Sequence, residues 1–201
     1  MPAPDTETLF TANVAERRRL VGLLTDLAPA DWDEPSLCDG WRVRDVAAHL
    51  SMAYRYSGWA VLRGVLGARG SFNRFADRAA RSDADTMGVD ELVQALASNV
   101  ESHWRPPGGG QAGALSHDVI HGLDITEPLG LQPPPVATIR HVLDHSAQRN
   151  LKFFGVDLAG RRLEATDTDW HLGEGTPVRL TAKDILLTIA GRTPLPASAT
   201  S

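Results

Sequence analysis

In SHDVIHGLD, His117 and His121 stand four residues apart with Asp118 next to the first of them. On a helix, side chains at i and i+4 share a face, so two imidazoles at that spacing form part of a metal site. The pattern also falls one methylene short of H-E-x-x-H, where a glutamate acts as general base toward a metal-bound water. Asp118 is shorter than a glutamate by roughly 1.5 Å, and no glycine-spaced third histidine follows, which makes the protease the weaker reading. Two histidines at this spacing also arise on ordinary solvated helices. The chain carries its own comparison in IRHVLDHSAQ, where His141 and His145 repeat the spacing beside Arg140 and Arg149, on a face expected to be solvated.

What favours the first pair is its surroundings. Ile120 and Ile125 flank it and a Gly/Ala-rich stretch precedes it, so its helix is expected to be buried. A third nitrogen ligand is available from His49, set among alanine and leucine in VRDVAAHL. A histidine in that setting needs a partner for its polar nitrogens, and a simple hydrogen bond would also satisfy it. Three imidazoles from two helices would leave a coordination position open, as in catalytic rather than structural sites. Asp124, one turn beyond His121, is a candidate for orienting an imidazole; Asp45, one turn before His49, is the better candidate for a helix cap. Cys38 has no cationic cluster around it and is expected to be a small packed hydrophobe. The glycines of PPGGGQAG follow a helix and lack the lysine of a phosphate loop.

The elements that must position these residues follow from periodicity. Apolar positions repeat at helical spacing over residues 6–27, interrupted only at Asn13 and Arg17. The segment APADWDEPSLCDGW reads as a structured connection packed through Trp32, Leu37, Cys38 and Trp41. A second helix is expected from Val43, continuing through SGWAVLRGVLGARG to a break near Gly67 to Gly70, with a short charged helix after it. Further helices are expected over 89–104, 111–127 and 136–154, punctuated by RPPGGG, Pro128 and QPPP. Beyond Gly155 the pattern alternates in RRLEATDTDWHLGEGTPVRLT, a β-hairpin turning at Gly173 to Gly175, before a closing helix in AKDILLTIAGR and a frayed tail.

The 201 residues are 42% hydrophobic and 22% charged, enough for one good core. A net charge of −5, with acids and bases interleaved, argues against a nucleic-acid partner. One cysteine excludes an internal disulfide framework and fits a reducing compartment. MPAPDTETLF has neither the basic nor the apolar part of a signal peptide, and no apolar run reaches about 18 residues. A cytoplasmic chain without a membrane partner, monomeric or homodimeric, is the expectation.

Three stretches together resemble a known family. DWDEPSLCDGWRVRDVAAHL is similar to the first signature of the DinB-like, mycothiol-dependent maleylpyruvate isomerase family. SHDVIHGLDITEPLG is similar to its second signature, and LEATDTDWHLGEGTPVRLTAKDILLTIAGR to its small C-terminal domain. The resemblance implies a mainly α fold: a DinB-like four-helix bundle over residues 1–154, followed by a small α+β element, hairpin plus helix, over 155–201. It implies a divalent metal, zinc by default, held at His49, His117 and His121. The family's isomerases carry glutamate where this chain has His117, so the ligand set here is neutral and its metal more electrophilic. Arg42 stands where the family has a Ser or Thr helix cap, a local cost of ~1 kcal/mol or less. Arg192 matches a position implied to bind an anionic substrate, and it could equally serve as a helix C-terminal cation.

The implied activity is that of a metal-dependent transferase or isomerase using mycothiol or a similar thiol on a small electrophile. A thiol-independent metalloenzyme, hydrolase or Lewis acid, and a non-catalytic metal- or ligand-binding protein are the alternatives the residues leave open.

Overall fold

Apolar periodicity and local capping produce eight α-helices and a three-stranded sheet among residues 6–196, the part of the chain that this computed structural model describes. The start of the N-terminal segment and the tail from residue 197 lie outside the described residues. The helices are α1 (Thr6–Thr25), α2 (Val43–Arg55), α3 (Gly58–Gly67), α4 (Phe72–Thr86), α5 (Val89–Ala97), α6 (Gly110–Thr126), α7 (Val136–Phe154) and α8 (Ala182–Ile189). The strands are β1 (Arg161–Ala165), β2 (His171–Leu172) and β3 (Thr176–Leu180). No described helix is long and apolar enough to cross a membrane.

The described residues form two compact units, one of residues 14–104 with 124–131, the other of residues 6–13 with 105–123 and 132–196. In the first unit, α2 packs against α4 and α5, and α3 against α4. Leu20, Leu24, Trp32, Val43, Val46, Ala47, Leu50, Leu96 and Ile125 form its main apolar cluster. The polar interruption in α1 is buried all the same: Arg17 is 6% exposed and its Nη1 donates to the carbonyl of Ser102 at 2.6 Å. A guanidinium that saturates backbone acceptors can sit in a core that an unpaired one could not.

Two helices are shorter than expected. α2 stops at Arg55, and Ser57 caps a separate α3 by accepting from the amide of Ala60. α5 stops at Ala97 instead of running to 104, because the Asn99 side chain donates back to the carbonyl of Ala95 at 2.8 Å. Such local side-chain bonds compete with helix propagation. The break at Gly67 to Gly70 is where the sequence places it.

In the second unit, α7 packs on α8, and α8 on β1 and β3. The Asn150 amide donates to Ser116 Oγ at 3.2 Å and Ser146 Oγ to the carbonyl of Ala112 at 3.3 Å, tying α7 to α6. The expected hairpin needs correction. β1 and β2 pair antiparallel, but β3 lies on the other side of β1 and runs parallel to it, in the order β2-β1-β3. Gly173 to Gly175 therefore carries the chain past the end of β1 rather than folding β3 back on β2. Gly175 does so at φ +104, where a Cβ would run into the carbonyl of Gly160. In ATDTDW, Asp167 accepts from the amide of Ala182 at 2.8 Å, which fixes the start of α8.

Candidate metal centre

Helix α6 is held by an apolar face of Ala114, Leu115, Val119, Ile120 and Leu123, all buried, which leaves His117 and His121 half-buried one turn apart. Their rings meet edge to face with centroids 4.8 Å apart. His117 Nδ1 lies 2.8 Å from Asp118 Oδ1, and Asp118 is only 3% exposed. A carboxylate beside Nδ1 favours a proton on that nitrogen and a lone pair on Nε2, the tautomer that a ligand binding through Nε2 needs. Asp118, too short for the general base of H-E-x-x-H, instead lies against the His117 ring, a contact that the adjacent H-D pair itself could have signalled.

His49 belongs to α2, whose first turn is built as expected: Asp45 accepts from the amide of Arg42 at 2.7 Å. Arg42 is no mere missing cap. Its guanidinium donates to Asp45 at 3.1 Å and to Asp85 at 2.7 Å, and these carboxylates, Asp45 first, hold it firmly protonated. Ala48 and Leu50 are buried on either side of His49. The His49 ring lies 5.2 Å from that of Trp41, tilted by 58°. Trp41 is fixed in turn, since its Nε1 donates to Asp77 at 2.7 Å. That bond, followed by the pull of Arg81 at 2.9 Å, outweighs desolvation and lowers the Asp77 pKa below the ordinary carboxylate value.

Cys38 is half-buried, but it is more than a packed hydrophobe. Its Sγ donates to Asp124 Oδ2 at 3.0 Å, and the amide of Leu37 donates to the Asp124 carbonyl at the same distance. Asp124 is fully buried. The two residues lie 86 apart in sequence, so nothing short of the fold could have paired them. Arg192 spreads its guanidinium 5.1 Å over the Phe154 ring, and its Nη1 donates to the carbonyl of Ala190 at 3.0 Å. His141 and His145 correct another expectation: both are half-buried, and His145 Nε2 is enclosed without a hydrogen-bond partner. Arg140 does not keep that face wet, because Asp144 takes its Nε at 2.8 Å and it reaches over to the carbonyl of Asp169.

A family model described as the mycothiol maleylpyruvate isomerase N-terminal domain matches residues 14–119, just over half of the chain. No curated protein matches. Two solved structures resemble the fold, one of the mycothiol-dependent maleylpyruvate isomerase (TM-score 0.59) and one of a histidine-to-alanine mutant of the mycothiol-dependent maleylpyruvate isomerase (TM-score 0.58). Each is 14% identical, and the likeness covers 94% of this chain and 90% of the other. The mainly helical fold with its small C-terminal sheet is therefore that of these proteins.

Proposed function

Since the chain belongs to the mycothiol maleylpyruvate isomerase N-terminal domain family, we propose that it is a metal-dependent enzyme using a mycothiol-type thiol to transfer to, or isomerise, a small electrophile. In this reading His49, His117 and His121 together hold one divalent cation, with zinc suited to three neutral nitrogens. The observation that carries it is the carboxylate of Asp118 on His117 Nδ1, the kind of contact that orients a metal-ligating imidazole.

A cation held there would lower the pKa of a bound thiol and keep it as thiolate near neutral pH. The rest of the work falls to the chain. Asp118 keeps the Nδ1 proton in place, and Trp41 forms a rigid aromatic wall beside His49. Arg192, near the C-terminus, takes an anionic group of the substrate. The thiolate adds to an activated double bond, the resulting single bond rotates, and expulsion of the thiolate restores the double bond in the other configuration. Where the electrophile carries a leaving group, the same attack transfers the thiol. The reading includes a cytoplasmic location and a C-terminal element from residue 155 that contributes to substrate binding.

Calorimetric titration of mycothiol into the metal-loaded and the chelated protein tests the thiol, and metal analysis of single variants tests the ligands. Binding only to the loaded form is expected; none by the loaded form sinks the thiol reading. His49→Ala, His117→Ala and His121→Ala should each lose metal, while His141→Ala with His145→Ala should not. Stoichiometric metal in all three single variants sinks the ligand set.

A further inference from the structure

Helix α3 has an apolar face on both sides. Val61, Val65 and Ala68 pack with Met52 and Phe75, and Gly64 lets the Phe75 ring approach so closely that a Cβ there would run into it. The opposite face is bare: Trp59 is 71%, Leu62 45% and Leu66 67% exposed, and Phe72 at the start of α4 is 53% exposed. Four of the six large hydrophobics most exposed in the described chain thus fall within 14 residues. Isolated exposed leucines need no explanation, but a clustered apolar stripe does.

Its charge is as distinctive. Residues 58–76 carry three arginines and no acidic residue, in a chain whose net charge is −5. Arg63, Arg69 and Arg74 are exposed and make no ion pair among the described residues. Other arginines of the same unit are paired: Arg18 with Glu101, Arg42 with Asp45, Arg44 with Asp33, Arg55 with Asp83, and Arg81 with Asp77. Arg78, just beyond the stripe, is also exposed and makes no ion pair among the described residues, but the stripe itself gathers three such arginines with no carboxylate among them.

We propose that this face of α3 and the start of α4 docks reversibly on an anionic phospholipid surface. A helix lying in the plane of a bilayer sinks one apolar side among the acyl chains while arginines meet the headgroups, and tryptophan favours that boundary. Self-pairing is disfavoured, because a two-fold contact would bring together two copies of a patch that carries three arginines and no carboxylate to pair with them. The ten residues of α3 span only about 15 Å, so the docking is weak and depends on charge.

The test is co-sedimentation of the full chain with vesicles of phosphatidylcholine alone, or of three parts phosphatidylcholine to one part phosphatidylglycerol. Binding is expected only to the anionic vesicles, and it should vanish at molar salt. Replacing all three arginines by glutamate should weaken it on the order of a hundredfold or more, and Leu62→Ser with Leu66→Ser by about tenfold. These side chains are exposed, so the thermal melt should not move. A blue shift of emission on binding, lost in Trp59→Phe, gives a second readout on a variant that remains folded. Failure of the parent protein to bind anionic vesicles at low salt overturns the proposal. So does equal binding by both multiple variants, or a concentration-dependent dimer, without vesicle binding, that Leu62→Ser with Leu66→Ser abolishes.

Discussion

Removing the Asp118 carboxylate tests the site where its logic is most exposed. The contact to His117 Nδ1 is 2.8 Å long and the carboxylate is nearly sealed from solvent, so it is a charge-assisted bond little weakened by water. Loss of such an orienting partner costs a metal site about 10–100-fold in affinity, or ~1.4–2.7 kcal/mol. Asp118→Asn retains an acceptor oxygen but not the charge. Neutral bonds are about half as strong, so the asparagine should cost about half that free energy, roughly 3–10-fold where Asp118→Ala costs about 10–100-fold. Competition against a chromophoric chelator measures the affinities, and nitrogen NMR of the metal-free protein reads which ring nitrogen of His117 holds the proton. The expected order of affinity is parent, then asparagine, then alanine, with the alanine variant losing its preference for Nδ1–H. A folded Asp118→Ala protein that binds metal as tightly as its parent refutes the reasoning.

Other expectations concern the supports of the site. Cys38→Ala removes a donor from the fully buried Asp124 and should destabilise by ~1–3 kcal/mol in denaturant melts; Cys38→Ser keeps a donor and should recover most of it. Gly64→Ala drives a methyl into the Phe75 ring and should cost ~1–3 kcal/mol by the same measurement. The Asp77 pKa is depressed in the folded protein, chiefly by Trp41 Nε1. Its contribution to stability is therefore present above the ordinary carboxylate pKa of 3.8 and is lost as pH falls through the folded value. Trp41→Phe should raise the Asp77 titration seen by carbon NMR; an unmoved titration would assign the shift to Arg81 instead.

Much of this was legible in the residues because it is local. The breaks at Gly67 to Gly70 and RPPGGG, the cap by Asp45 and the burial of the helix bearing His117 all follow from spacing within one element. What escaped depends on partners far along the chain. Arg17 looks like a break in an apolar stripe until the carbonyl of Ser102 meets it. Cys38 looks inert until Asp124 does. Strand order failed for a related reason: alternation marks β1, β2 and β3 as strands, but it carries no information on which edge of β1 the third one joins.

The His117–Asp118 pair also bears on why this chain carries histidine where family members are implied to carry glutamate. Asp118 is useful to an imidazole because it accepts the Nδ1 proton; beside a glutamate it would offer no orienting bond and would add a second negative charge. The two residues should therefore be coupled, with the aspartate serving the site only while its neighbour is histidine. In a double-mutant cycle on metal affinity, Asp118→Asn should weaken binding in the parent but leave it unchanged in the His117→Glu background. Coupling of ~0.5–3 kcal/mol is the range for groups in direct contact. Strictly additive effects would mean that the 2.8 Å contact fixes the ring without tuning it as a ligand, and that the departure from glutamate has its cause elsewhere in the site.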